Sequence, residues 1–141
     1  MLATDAELIM TKREIAEKYI EFLSIGEVEK IVNLFAENGK VNSPIYGEKQ
    51  ADIFYRELSE DTITSELKLK GIFEDADSDR MALYFEYKWT VKSGKIVQFD
   101  VVDIFAFDNE NKITELKIIY DTVISRNLVA EMQTMNPRQT N

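Results

Sequence analysis

Asp103 is the residue whose type and position say most about possible chemistry. It falls on a predicted strand face that otherwise carries Phe99, Val101, Phe105 and Phe107. A carboxyl group among apolar side chains is poorly solvated, so its pKa rises and it can stay protonated near neutral pH and donate a hydrogen bond. An Asp at a sheet edge, or a register in which this face meets solvent, is the alternative.

Two tyrosines on predicted helices are further hydrogen-bond donors. Tyr19 lies within the apolar stripe that contains Ile15, Phe22 and Leu23, and Tyr55 lies on a later helix. A buried phenol usually finds a partner, and one that points into a cavity can donate to an oxyanion. The alternative is core packing, with the hydroxyl bonded to water or backbone, and for either tyrosine taken alone it is favoured.

The composition removes many kinds of catalytic site. The chain has 141 residues and contains neither Cys nor His. Disulfides, thiolate nucleophiles, Cys/His zinc sites and Ser-His-Asp triads are therefore excluded. Acid–base chemistry must use Asp, Glu, Tyr, Lys or water, and we expect neither a metal nor a cofactor. Asp100 and Asp121 are interpreted as solvated or capping residues.

The charge balance bears on partners and location. Seventeen basic residues against 26 acidic ones give a net charge of −9, which argues against nucleic acid and anionic membranes as partners. The N-terminus lacks the apolar run of a signal peptide, and no stretch is long and apolar enough to span a membrane. We therefore expect a cytoplasmic protein.

Helical patterns occupy the first part of the chain. The pattern predicts a first helix with a Thr11/Glu14 capping box and a break at Gly26. A short second helix is predicted over 28–35, ended by Asn38-Gly39. An extended piece over 40–47 and a third helix from about Lys49 to Leu58 follow.

Alternating patterns occupy the rest. Apolar side chains recur at odd positions in 63–73, 81–91 and 95–107, and a last strand covers 112–122. Turns are predicted at Ser93-Gly94 and over 108–111. Helices followed by an antiparallel meander indicate an α+β domain with the helices on one face of the sheet. We expect a single domain over 1–141, with a C-terminal tail over about 125–141 that begins as a short helix and frays near Pro137.

Two segments carry a family resemblance. AEKYIEFLSIGEVEKIVNLFAENGKVNSPIYGEKQADIFYREL resembles the N-terminal half of bacterial ketosteroid isomerases, and FDVVDIFAFDNENKITELKIIY resembles their fourth and fifth strands. Together they are similar to the wider group of nuclear transport factor 2, which includes polyketide cyclases of the SnoaL type. The likeness spans about residues 13–122. It implies a conical barrel in which three N-terminal helices pack in a curved, mostly antiparallel sheet around an apolar pocket, and it implies homodimers.

The resemblance also implies roles for individual residues. Tyr19 and Asp103 match the oxyanion hole of the isomerases, and Tyr55 matches a supporting tyrosine. Phe35 replaces another tyrosine of that network. The isomerases have a general-base Asp where this chain has Ser43, and a serine hydroxyl cannot hold a substrate proton without a base beside it. Steroid isomerisation by the family's usual route is therefore not expected.

We expect the pocket to take a small apolar ligand with a carbonyl or phenolic oxygen. Its predicted lining is Phe35, Phe54, Phe85, Trp89, Phe99, Val101, Phe105, Ile118 and Tyr120. Three functions stay open: a proton-transfer enzyme of the isomerase or cyclase type, a non-catalytic binder, and a dimeric interaction module with a vestigial pocket. The enzyme would use water or a carboxylate such as Glu66 or Glu86 as its base. A closed or filled cavity would favour the interaction module.

Overall fold

One sheet of six strands carries the helices of this protein. The computed structural model describes residues 10–135, so residues 1–9 and the predicted frayed end from 136 onward lie outside the described residues. The elements are α1 Lys12–Ile25, α2 Val28–Val32, β1 Phe35–Ser43, β2 Gly47–Gln50, α3 Ala51–Glu60, β3 Thr62–Glu74, β4 Arg80–Val91, β5 Ile96–Phe107, β6 Ile113–Ile119 and α4 Val123–Met135.

The strand order is β2-β1-β6-β5-β4-β3. Every neighbouring pair is antiparallel except β1 and β6, which run parallel. Because β2 and β3 are the two edges, the sheet is not closed into a barrel. The α+β class and the mostly antiparallel sheet predicted from sequence are confirmed.

Helix α1 begins and ends where the sequence indicates. Thr11 Oγ1 accepts a hydrogen bond from the Glu14 backbone N–H, and Glu14 Oε1 accepts one from the Thr11 backbone N–H. Gly26 ends the helix in the left-handed conformation, at φ 73°, which a residue without Cβ adopts at little cost. The buried side of α1 includes Tyr19, so these local signals hold that phenol against the sheet.

Strands β4 and β5 present alternate residues to the core. The odd positions of β4, from Met81 to Val91, are all buried, as period two requires. In the antiparallel register Asp103 pairs with Leu83, so it shares the inner face. The predicted apolar face around Asp103 is confirmed, and both alternatives, a sheet edge and a solvent-facing register, are wrong.

The segment after α2 differs from its prediction. Helix α2 ends at Val32 and strand β1 begins at Phe35, so Asn38-Gly39 lies within a strand instead of ending a helix. Parallel pairing with β6 overrides the local turn signal, and the register shifts between Phe35 and Lys40. A Cβ on Gly39 would lie 2.9 Å from the Ile113 carbonyl oxygen, so the glycine permits close backbone approach at this bulge. Lys49, the predicted start of the third helix, lies in β2.

Strand β3 also departs from simple alternation. Its pairing with β4 shifts between Thr62 and Thr64 and again between Leu69 and Gly71. Each bulge moves the following side chains to the other face. Leu67 therefore lies opposite the inward Tyr87, whereas Phe73 lies opposite Ala82 on the outer face. The prediction that the odd positions of 63–73 share one face is wrong.

The C-terminal helix α4 is longer than the short helix that the sequence indicated. Asp121 Oδ1 accepts a hydrogen bond from the Val123 N–H at its start, which fits the capping role. Leu128, Val129 and Met132 are buried, so the helix packs on the core. Among the helices of residues 10–135, none combines the length and apolar character needed to cross a membrane.

Candidate functional site

A small cavity lies between the inner face of the sheet and helices α1 and α3. Both Tyr19 and Asp103 line it, as predicted. The other lining residues are Leu23, Ser43, Tyr46, Phe54, Leu58, Phe85, Tyr87, Trp89, Phe99, Val101, Ile118 and Tyr120. Aromatic and aliphatic side chains thus form most of the wall, and a few oxygen atoms interrupt it, which is the usual make-up of a small-molecule site.

Asp103 places a buried carboxyl group in this mostly apolar wall. Asp103 is 1% exposed, and its Oδ1 has no hydrogen-bond partner among the described residues. Burial raises the pKa of the Asp103 carboxyl well above its usual range. Removal of an ion from water costs more than removal of the neutral acid, so burial favours the protonated form of this group. In that form the carboxyl can donate a hydrogen bond.

Tyr19 and Tyr55 form a buried phenol pair. Their hydroxyl oxygens are 2.6 Å apart and share a hydrogen bond, in which either can be the donor. Burial, and next the negative charge that Tyr55 or Asp103 would carry, raise the pKa of Tyr19 well above its usual range. Both phenols therefore keep their protons. If Tyr55 donates to Tyr19, the Tyr19 hydroxyl keeps its own proton for a ligand oxygen.

Most of the predicted lining residues reach the cavity. Phe54, Phe85, Trp89, Phe99, Val101, Ile118 and Tyr120 all line it. Phe35 and Phe105 do not, since both are buried behind the phenols: the Phe105 ring centroid lies 5.2 Å from that of Tyr19, and the Phe35 centroid lies 5.9 Å from that of Tyr55. Tyr55 likewise is not part of this wall, and its hydroxyl is hydrogen-bonded to that of Tyr19, which is.

Ser43, which the resemblance places at the general-base position, is the last residue of β1 and stabilises the turn that follows. It is buried and lines the cavity. Its Oγ accepts hydrogen bonds from the backbone N–H groups of Ile45 and Tyr46, both at 3.3 Å. This pattern is a serine turn, in which a side-chain oxygen stabilises the following bend. Ser43 thus holds the β1–β2 connection, including the backbone of Tyr46.

The two glutamates considered as alternative bases are on the wrong side of the sheet. Glu86 alternates with the buried Phe85 and Tyr87, and Glu66 pairs across the strands with Lys88. Both carboxylates form ion pairs there, Glu86 with Lys70 and Glu66 with Lys88. Because neighbouring residues of a strand point to opposite faces, neither carboxylate reaches the cavity.

Sequence reasoning missed several residues of the site. Leu23, Leu58 and Tyr87 line the cavity, and the alternation of β4 was the signal for Tyr87. Tyr46 also lines it, and its hydroxyl donates a hydrogen bond of 2.5 Å to Asp61 Oδ2. No periodic pattern places Tyr46, because it lies in the three-residue connection between β1 and β2, two residues after Pro44.

The size of the cavity limits its ligand. Its volume is about 40 Å³, which is space for roughly three water molecules, since one water needs ~10–15 Å³ of such volume. A larger cavity of about 380 Å³ lies on the other side of Leu23 and Leu58, which line both. The larger one is mostly bounded by hydroxyl and aliphatic side chains near the ends of α1 and α3. Its lining includes neither Asp103 nor Tyr19, which both line the smaller cavity.

Comparison with known proteins agrees with the architecture. No protein-family model matches the chain. An NTF2-like protein of unknown function from Burkholderia pseudomallei superposes with a TM-score of 0.70 at 15% identity, over 92% of this chain and 100% of that one. TerC, crystallised with polyporic acid, gives a TM-score of 0.71 at 17% identity, over 84% and 98%.

A third similar structure is SalBIII, described as an epoxide hydrolase/cyclase-like enzyme with a role in pyran ring formation in the polyether salinomycin. It superposes with a TM-score of 0.68 at 17% identity, over 78% of this chain and 90% of that one. Identities this low establish the fold. The chain has the NTF2-like fold that the sequence resemblance implied.

Proposed function

We propose that this protein binds a small neutral ligand through a carbonyl or phenolic oxygen that accepts hydrogen bonds from Tyr19 and Asp103. The buried Asp103 carboxyl, whose Oδ1 lacks a partner, is the observation that carries the proposal. An unsatisfied buried polar group costs ~1–3 kcal/mol, and a native fold keeps such a group at a place where function needs it. A ligand oxygen would satisfy it.

The same two donors would support proton transfer on a carbonyl compound. Hydrogen bonds to the carbonyl oxygen stabilise the negative charge that develops there when a neighbouring C–H loses its proton. This chemistry is shared by isomerases and cyclases that act through an enolate. SalBIII, described as an epoxide hydrolase/cyclase-like enzyme, supports small-molecule chemistry in a pocket of this fold but not an enolate reaction in particular.

The cavity volume favours a ligand fragment of one ring. A space of about 40 Å³ does not hold a steroid, so a standard steroid isomerase is not proposed. The narrowness also favours, as the alternative, a protein whose pocket is vestigial and whose role is interaction. A non-catalytic binder would keep the pocket and its donors but transfer no proton.

Binding can be measured with the protein's own fluorescence. Trp89 is the only tryptophan of the chain and lines the cavity, so phenol can be titrated against its emission. We expect saturable binding that weakens about 2–10-fold in Tyr19→Phe and in Asp103→Leu, the effect of one lost hydrogen bond of ~0.5–1.5 kcal/mol. Asp52→Asn, on helix α3 and outside the cavity lining, is the matched control.

Each other outcome of the titration has a definite meaning. Absence of any saturable change with phenol would contradict the proposed site and favour the interaction module. Saturable binding that is the same in wild type, Tyr19→Phe and Asp103→Leu would contradict the assignment of these two residues as donors.

We also propose that the protein is a homodimer in which the outer faces of two sheets pair. Tyr84, Val102 and Ile119 form one cross-strand row on that face, and Phe73 is 59% exposed beside it. An apolar patch of this kind on a sheet face usually marks an interface. Light scattering after gel filtration should give twice the chain mass for wild type and the single mass for Val102→Glu. A single mass for wild type would contradict the dimer.

A further inference from the structure

The site as described lacks a proton acceptor. Ser43 lies at the position of the general base, but its Oγ accepts hydrogen bonds from the backbone of the following turn. Glu66 and Glu86 form ion pairs on the outer face of the sheet. Burial raises the pKa of the Asp103 carboxyl, which favours a role as hydrogen-bond donor over a role as proton acceptor. A proton removed from a substrate carbon therefore needs a different group, within reach of the same cavity.

Buried polar side chains are concentrated around this cavity. Among the described residues three polar or charged residues are buried: Ser43, Asp61 and Asp103. Ser43 and Asp103 line the cavity, and Asp61 accepts the hydrogen bond from the cavity residue Tyr46. Buried charge is costly and is kept where it is paired or used. Asp61 is thus the buried carboxyl for which the site as described has no role.

Tyr46 connects Asp61 to the cavity. Its hydroxyl donates to Asp61 Oδ2 at 2.5 Å, and Asp61 is 6% exposed. The ring is held edge-on against Phe54, with centroids 5.6 Å apart. The serine turn at Ser43 bonds the backbone of Tyr46 itself. Backbone, ring and hydroxyl are each held by a separate contact, which is the kind of support that a catalytic side chain needs.

We infer that Tyr46 and Asp61 together form the proton acceptor of this site. The inference rests on the proposed function, since it requires a carbonyl ligand held by Tyr19 and Asp103. The C–H bond next to the carbonyl breaks, and its electron pair forms the enolate. The proton bonds to the Tyr46 oxygen while the original phenolic proton passes to Asp61. Reprotonation of the enolate reverses both transfers, so no other reactant is consumed.

This assignment moves the base from β1 to the connection that follows it. A phenol that donates to a carboxylate can accept a proton without becoming charged, because its own proton leaves at the same time. Tyr46 would touch the substrate, whereas Asp61 would act through Tyr46. In this assignment Ser43 helps to position Tyr46, because its Oγ accepts a hydrogen bond from the Tyr46 backbone N–H.

The test uses exchange of the α-protons of cyclohexanone in D₂O, followed by NMR, with phenol binding to Trp89 measured on the same samples. We expect wild type to accelerate exchange. Tyr46→Phe and Asp61→Asn should lower the saturated exchange rate by about 10²-fold or more, with phenol affinity within about 3-fold of wild type. Asp52→Asn, on helix α3, and Asp100→Asn, at an exposed position of β5, are the matched controls.

A double variant separates a relay from two structural effects. If Tyr46 and Asp61 act as one unit, the combined Tyr46→Phe/Asp61→Asn protein should be no slower than either single variant. Additive losses, or exchange in Tyr46→Phe equal to that of wild type, would overturn the inference while the binding site stands. Phenol binding without any wild-type exchange would also overturn it. Absence of both binding and exchange would overturn the proposed function and the inference with it.

Discussion

Replacement of Asp103 by Asn should change how stability depends on pH. The Asp103 carboxyl is buried, and burial is the cause that raises its pKa well above its usual range. Above the ordinary pKa of 3.8, the unfolded chain releases this proton while the folded protein retains it. The folded state then binds more protons than the unfolded state, so stability falls as pH rises through this window.

The size of the effect follows from the proton count. One proton retained on folding changes the free energy of unfolding by about 1.4 kcal/mol per pH unit, and the fall continues until pH reaches the folded pKa of Asp103. Two pH units inside the window therefore correspond to roughly 2.7 kcal/mol. Against a typical total of ~5–15 kcal/mol, this is a large fraction. Asn has nearly the same shape and does not titrate, so Asp103→Asn lacks the slope.

Urea unfolding of wild type and Asp103→Asn at several pH values from about 4 to 8 measures the difference directly. Other carboxyl groups titrate in both proteins and cancel in the comparison. We expect the stability of Asp103→Asn relative to wild type to rise with pH. Asp100→Asn, an exposed residue on the same strand, is the control and should show no such trend. A flat or falling difference for Asp103→Asn would refute the interpretation of Asp103 as a neutral acid.

Three further predictions concern the neighbours of Asp103. Tyr55→Phe removes the phenol bonded to Tyr19 and should cost ~1–3 kcal/mol in urea unfolding, because a buried hydroxyl loses its partner; unchanged stability would mean that water replaces the bond. Ser43→Asp should raise the rate of cyclohexanone exchange, also in the Tyr46→Phe background, because a carboxylate at this position can act as a general base. The carboxylate can also accept the backbone hydrogen bonds that Ser43 accepts, so the turn should be kept; no gain would show that position 43 does not face the substrate. Leu58 lines both cavities, so the larger side chain of Leu58→Trp should obstruct the space between them. If the alkyl chain of a 4-alkylphenol extends into the larger cavity, calorimetry in the Trp89→Phe background should show that Leu58→Trp weakens 4-alkylphenol binding more than phenol binding; equal losses would show that the alkyl chain lies elsewhere.

Elements that depend on residues close along the chain could be predicted from sequence. The capping box at Thr11 and the left-handed Gly26 are set by contacts within one helical turn, and the inward side of β4 is set by period two. The placement of Asp103 on an apolar inner face follows from the same period. For Tyr19 and Asp103 the patterns indicated the buried faces, and the family resemblance implied that the two side chains share one site.

Features that depend on pairing between distant segments were decided by tertiary structure. Asn38-Gly39 reads locally as a turn, but parallel pairing with β6 draws it into β1. The bulges of β3, which turn Phe73 outward, arise from its register with β4. The bond between Tyr46 and Asp61 joins residues 15 positions apart in a connection and at a helix end. Local patterns carry no information about such contacts, because their free energy comes from packing and pairing that exist only once the sheet has formed.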